Sequence, residues 1–297
     1  MQETTSPDWI FDLPEFAEWL HGSNNENLWL SATAGFGKSV LASYLTDQFA
    51  QNGSQVVYFF CNFDISRLQK ADSILKTILY QLSSNSPAVR ATLAEIWEKA
   101  RSISDGTAAL KDVVEKLLGP AIGVSGNTTY LVLDAVNECP KAALPDIFSL
   151  LRYLGTIKPL RIIITSQRTE EIATSLSNWK SIELQSSFAE KTIESYVKIH
   201  LTPTLQTWFE KANKDPIKFF SDTETGHRGM FIWVKIMLEY LRDAYDFKKF
   251  QQLLSDVPDT ITQLYQDGLN RLASSHYHVF FRVRRVFWES HSPGSGA

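Results

Sequence analysis

The sequence predicts an α/β protein, a three-layer sandwich around a mostly parallel five-stranded sheet, followed by a small all-helical subdomain. Three observations carry that reading. Apolar strand-like runs alternate with helical segments from about residue 28 to residue 186, which calls for right-handed crossovers and a largely parallel sheet. The first run passes through a short glycine-bearing loop straight into a helix. From about residue 187 the strand-like runs stop, while helical periodicity continues to about residue 288.

The elements follow in order. Residues 1–27 form a lead-in segment with a short helix around Leu13–Leu20, and Pro14 sits in its first turn, where a missing N–H is tolerated. Strands are expected near 28–31, 55–61, 129–134, 161–165 and 181–184. Helices are expected near 39–51, 71–83, 87–101, 107–118, 142–154 and 169–176. In the first of these, Val40, Leu41, Tyr44 and Leu45 have the spacing of one helix face. The runs Tyr130-Leu131-Val132-Leu133 and Leu160 to Ile164 suit central strands buried on both faces. Gly119 to Thr128 is rich in Gly, Ser and Asn and reads as an exposed loop. Further on, Phe231 to Leu238 is almost wholly apolar, as in the buried helix of a small bundle. Phe231 and Trp233 read there as core packing rather than as ligand-stacking rings.

Composition excludes several classes. A formal net charge of −4 offers no general nucleic-acid surface. The Arg282, Arg284, Arg285 cluster reads as the solvated face of a terminal helix. The two cysteines, Cys61 and Cys139, fall at core-like strand ends and read as buried thiols in a reducing compartment. The polar, acidic start is not a signal peptide, and no apolar run approaches the ~20 residues that span a bilayer. No repeat of about 20–50 residues is visible. The expectation is a soluble, cytoplasmic protein without nucleic-acid or membrane partners.

Three motifs carry chemistry. Ala34-Gly35-Phe36-Gly37-Lys38-Ser39 follows Leu28-Trp29-Leu30 and opens a helix. Loop N–H groups wrap phosphates there, and the helix presents its positive end to them. Lys38 reaches the terminal phosphates and the Ser39 hydroxyl ligates Mg²⁺. This is a P-loop, with Thr33, Ala34, Gly35, Phe36, Gly37, Lys38, Ser39 and Val40 as nucleotide-binding candidates. The first glycine of the common pattern is replaced by Ala32. Next, Tyr130 to Leu133 ends in Asp134, an acid at a strand tip, where open α/β sheets bind ligands. Asp134 is the second Mg²⁺ candidate and Glu138 the candidate for polarising water. A helix N-cap or turn role is the bland alternative for Asp134. Last, Leu160 to Ser166 is followed by Arg168, which reads equally as a γ-phosphate sensor or as an exposed loop arginine. Glu138 and Arg168 are the candidate catalytic residues.

These stretches together resemble the NACHT-type NTPase module of fungal NLR-like proteins, in the STAND class of P-loop ATPases. The likeness runs from about residue 8 to about residue 275. It includes Trp9 to Leu20, Leu28 to Leu41, Tyr58 to Phe63, Ile74 to Leu82, Leu131 to Cys139, Ile164-Thr165-Ser166, Gly229 to Val234 and Leu254 to Tyr265. It implies strand order 5-1-4-3-2, ATP/ADP with Mg²⁺ as ligands, and contact of Pro258 with the base. It also implies a core at 28–186, a helical subdomain at 187–254, the start of a truncated winged-helix-like unit at 255–290, and a disordered tail at 291–297. The expectation is a chain with no effector domain before the lead-in and no repeat array after it.

Three positions depart from that family: Ala32 for Gly, Asn137 for Asp, and Gln167-Arg168 where the sensor usually reads Arg-Pro. The expected function is an ATP/ADP-binding signal-transduction switch with slow hydrolysis, acting on protein partners or by self-association. The alternatives are a hydrolysis-deficient nucleotide-binding module and a nucleotide-free structural fragment.

Overall fold

The computed structural model describes residues 6–22, 27–85, 90–91, 122, 128–221, 231–257 and 263. All but residues 90–91 of the expected helix at 87–101, the expected helix at 107–118, nearly all of the 119–128 loop, Pro258 and the terminal segments lie outside them. Two compact units divide the chain, one spanning Ser6–Phe188 and the other beginning at Ala189.

The first unit opens with α1 (Trp9–Asp12) and α2 (Pro14–His21). It continues with β1 (Leu28–Ser31), α3 (Lys38–Gln51), β2 (Gln55–Phe60) and α4 (Ala71–Asn85). After β3 (Thr129–Asp134) come α5 (Leu144–Leu154), β4 (Leu160–Ser166), α6 (Glu170–Ser175) and β5 (Lys180–Glu183). All strand pairs are parallel, in the order β2-β3-β4-β1-β5. Read from the other edge this is 5-1-4-3-2, the order expected.

Every residue of β3 and β4 is buried, which explains the apolar runs Tyr130 to Leu133 and Ile162 to Ile164. On one face Trp29, Val57, Phe59, Leu131, Leu133, Ile162 and Ile164 pack under α4, α5 and α6. Alternation sends Leu28, Leu30, Tyr130, Val132 and Ile163 to the other face, which carries α3. Phe49 of α3 stacks on Tyr130 with centroids 4.1 Å apart. β2 is an edge strand, and its open backbone is answered by one side chain. The Gln81 amide accepts from Tyr58 N–H at 2.8 Å and donates to the Tyr58 carbonyl at 2.9 Å. Such a cover blunts edge-to-edge pairing.

The lead-in is fastened by a buried cation. Arg161 of β4 is only 8% exposed. Its guanidinium donates to the carbonyls of Trp19 (2.7 Å), Leu20 (2.9 Å) and Gly22 (2.7 Å), at the C-terminus of α2. The helix end supplies the partial negative charge that this cation needs. Asn27 joins the start of the sheet, accepting from Ile162 N–H through its side chain and from Lys180 N–H through its backbone.

In the second unit lie α7 (Glu190–His200), α8 (Pro203–Lys211), α9 (Pro216–Ser221), α10 (Phe231–Arg242) and α11 (Phe247–Ser255). Thr202 and Asp246 cap α8 and α11 by accepting from Leu205 N–H and Lys249 N–H. Phe209, Phe220, Trp233 and Phe250 are wholly buried together with Met237 and Leu241, so Trp233 is a core residue.

Arg161→Ala leaves three carbonyls of the α2 terminus without their cation. It should lower stability by about 2–4 kcal/mol in urea unfolding. Arg161→Lys, with fewer donors on one point charge, should fall between the two. Wild-type stability in both variants would show that the anchor is not needed.

Candidate functional site

The site forms where β1, β3 and β4 end. β1 leaves the sheet at Ala32, and the chain turns through Gly35 (φ 75°) and Gly37 (φ 101°) into α3. Left-handed backbone of this kind is cheap only for glycine. Phe36 does not face solvent. It is 3% exposed and meets the edge of Trp9 of α1 at 6.0 Å, while Trp9 stacks on Phe188 at 6.1 Å. The lead-in thus holds the loop from below. Thr33, Ala34 and Ser39 are exposed, and Val40 is 65% exposed at the loop–helix junction.

Lys38 opens α3 and curls back over its own loop. Its ammonium donates to the carbonyls of Ala32 (3.1 Å) and Thr33 (2.7 Å). Burial pushes its pKa down, opposed by the charges of Asp134 and Glu138. One cation therefore faces two acids across the strand tips.

Asp134 is 2% exposed at the end of β3. The Thr165 hydroxyl of β4 donates to its Oδ1, and the same hydroxyl accepts from Ala135 N–H at 3.2 Å. Ala135 takes a left-handed conformation (φ 57°), which turns the chain sharply after the acid. α5 begins at Leu144, so Asp134 caps no helix there. Nothing in the sequence motif had singled out Thr165 by itself. Its signal was its place at the strand tip next to the acid-bearing strand.

Glu138 stands in the short turn Val136–Glu138. Its Oε2 accepts from Phe63 N–H at 3.3 Å. Burial holds this carboxyl above its ordinary value, the Asp134 and Asp64 charges add to that, and the Phe63 bond and Lys38 pull it back. Asn137 Oδ1 accepts from Gln167 N–H at 2.8 Å, so two of the departing positions are bonded to each other. Cys61 and Cys139 are buried free thiols beside this turn, with the Cys61 thiol paired to the Cys139 sulfur.

Arg168 is not among these groups. Its guanidinium lies over the Trp29 ring at 5.2 Å, and Trp29 Nε1–H donates to Ser166 Oγ at 2.8 Å. Trp29 belongs to the face under α4–α6, opposite the face that carries α3. Thr165 and Ser166 point to opposite faces, and in the loop after β4 Arg168 lies on the Trp29 side with Ser166. Of the sequence candidates, the structure brings together Lys38, Asp134 and Glu138, with Ser39 one residue along α3.

A parallel sheet in this order, a glycine loop joining β1 to α3, and an acid at the tip of β3 define a P-loop NTPase fold. The chain belongs to the family described as Nephrocystin 3, N-terminal, which residues 5–167 match. It is 23% identical over 278 residues to the vegetative incompatibility protein HET-E-1 of Podospora anserina, covering 90% of this chain. This bears out the resemblance to fungal NLR-like modules. The chain spans 20% of that relative's length. Among solved structures, it is similar to domain III of the Thermotoga maritima replication initiation protein DnaA (TM-score 0.42, 12% identity, 84% of this chain and 97% of that one). It is also similar to Drosophila ORC bound to DNA (TM-score 0.49, 14% identity, 86% of this chain and 70% of that one). Among the described residues, no helix is long and apolar enough to cross a membrane.

The folded chain binds the Glu138 proton more tightly than the unfolded chain does. Its ionised form therefore disfavours folding near neutral pH, and this effect fades as the pH falls toward 4.5. Glu138→Gln keeps an acceptor for Phe63 and removes the charge. The variant should melt above wild type near neutral pH, with the gap closing in acid. A gap that does not change with pH would contradict a raised carboxyl.

Proposed function

We propose that this chain is the ATP/ADP-binding switch module of an NLR-like protein, with slow ATP hydrolysis. The carrying observation is the cluster at the strand tips, where the desolvated Lys38 ammonium faces Asp134 and Glu138. Lys38 is held now by two loop carbonyls, and a triphosphate would take their place as its partner. The Thr33–Lys38 loop and the first turn of α3 would hold the phosphates through backbone N–H groups. The exposed Val40 would be covered by the ligand.

The oxygen donors fit a hard divalent cation. Ser39 is exposed at the second position of α3, and Asp134 is fixed by Thr165. These two would hold Mg²⁺, which supplies charge neutralisation at the phosphates. Glu138 would orient the attacking water, and the upward shift of its pKa by burial makes it a stronger proton acceptor than an ordinary carboxylate. Pro258 against the base is a part of the proposal drawn from the family likeness. Exchange of ATP for ADP would bias the helical unit and, through it, self-association or a protein partner.

The slow rate has its own support. Arg168 packs on Trp29, so the sensor role requires it to leave that ring. Glu138 is engaged with Phe63 and Asn137 with Gln167. The same contacts support the second reading, a module that binds nucleotide without hydrolysing it.

Thermal melts with Mg²⁺-ATP and Mg²⁺-ADP test binding. At about 100 times the dissociation constant, ligand should add about 2.7 kcal/mol to wild-type stability. Lys38→Ala should lose that gain. No shift in wild type would sink the proposal. Phosphate release separates the two readings, and tight ATP binding without release favours the second.

If the displaced arginine limits turnover, Gln167→Arg combined with Arg168→Ala should raise kcat roughly 10- to 100-fold with little change in nucleotide affinity. An unchanged rate would mean that the limitation lies at Glu138 or Asn137.

A further inference from the structure

The two cysteines play no part in the nucleotide reading, yet both stand at its edge. Cys61 directly follows β2, whose last residue, Phe60, pairs with Asp134. The Cys61 N–H donates to the Asp134 carbonyl at 3.0 Å. Cys139 closes the turn that carries Asn137 and Glu138, and its N–H donates to the Val136 carbonyl at 3.1 Å. Two residues beyond Cys61, Phe63 N–H reaches Glu138 Oε2. Segments 61–63 and 134–139 are therefore bonded to each other near both thiols. Both side chains lie in the apolar cluster under α4–α6, where the thiols pair. Cys139 also lines a cavity of about 580 Å³ with Asn137, Lys141, Thr169 and Glu170. Lys141, Thr169 and Glu170 are exposed, so the cavity gives small solutes a way to Cys139.

We propose that Cys61 and Cys139 are a redox-sensitive thiol pair, which a hydroperoxide entering through this cavity oxidises to an intrachain disulfide. The Cys139 sulfur attacks one peroxide oxygen. An S–O bond forms, the O–O bond breaks, and the leaving oxygen takes the thiol proton and departs as water when the oxidant is hydrogen peroxide. The Cys61 sulfur then attacks the sulfenic sulfur. The S–S bond forms, the S–O bond breaks, and the hydroxyl leaves with the Cys61 proton as a second water. Two thiols lose two electrons and the peroxide gains them. The disulfide would fasten the Glu138 turn to the end of β2. Its effect on turnover rests on the nucleotide reading above, whereas the bond itself does not.

The test treats the full chain with hydrogen peroxide and then alkylates it. The expected result is joint loss of both free thiols and a mass lower by two hydrogen atoms. A Cys61–Cys139 peptide pair, separable by dithiothreitol, should appear in a chain that stays monomeric on a non-reducing gel. In Cys61→Ser, Cys139 should stop as a sulfenic acid that dimedone captures. The wild-type result stands whether or not that variant folds. Two alkylated thiols after a dose that fully oxidises free glutathione would overturn the pair. So would interchain disulfides alone, or wild-type Cys139 oxidised while Cys61 stays free. Nucleotide melts of both forms are read separately. Equal responses to ATP would overturn the link to the site, and no response in either form counts against the nucleotide reading while leaving the disulfide in place.

Discussion

The carboxylate of Asp134 sits almost fully buried at the tip of a strand that is apolar along its length, and the site is built around satisfying it. A buried charge persists only when hydrogen bonds and an opposite charge answer it. Thr165 supplies the bond, Lys38 supplies the charge, and Ala135 N–H completes the hydroxyl that Thr165 lends. The backbone of Asp134 is also in use, since its carbonyl takes Cys61 N–H. Strands β2, β3 and β4 therefore meet the loop between β1 and α3 at one residue. The parallel sheet makes this possible, because all strands end on the same side and deliver their polar tips together.

A second buried charge holds the opposite end. Among the described residues, no acid bonds to Arg161. It is held by the carbonyl end of α2 instead, and only its Nε lacks a partner. That choice couples the lead-in to β4, the strand that carries Thr165. The lead-in meets the site by another route as well, through Trp9 against Phe36 inside the P-loop. A segment that reads from sequence as an approach to the core is thus in contact with both β4 and the glycine loop after β1.

Much of this was legible in the sequence because it follows from period and composition. The apolar runs of β3 and β4 announce burial on both faces, and the glycines at 35 and 37 announce a turn that only they take cheaply. The buried thiols were legible for the same reason. What was not legible depends on distance in space. The helix Trp9–Asp12 is too short to show a period. The bond from Thr165 to Asp134 joins residues 31 positions apart. Arg161 looked like one polar residue in an apolar run, and only the position of α2 explains it. The pairing of Gln81 with Tyr58 belongs to the same class, since nothing local to either residue marks it.

The placement of Arg168 shows how one residue of register alters chemistry without altering fold. β4 puts Thr165 on the face of Asp134 and Ser166 on the face of Trp29. β4 ends at Ser166, and the loop that follows carries Arg168 to the indole. Trp29 then offers what the loop alone would not, an aromatic face for a guanidinium, worth about 0.5–1 kcal/mol at an exposed site. That attraction is small against the energy of charge developing on a transferring phosphate. So weak an attraction places Arg168 on the Trp29 ring without fixing it there. The backbone N–H of Gln167 donates to Asn137 Oδ1. Any residue but proline would carry this N–H, so the bond belongs to the backbone after β4 and holds Asn137 beside Glu138 whatever side chain stands at 167.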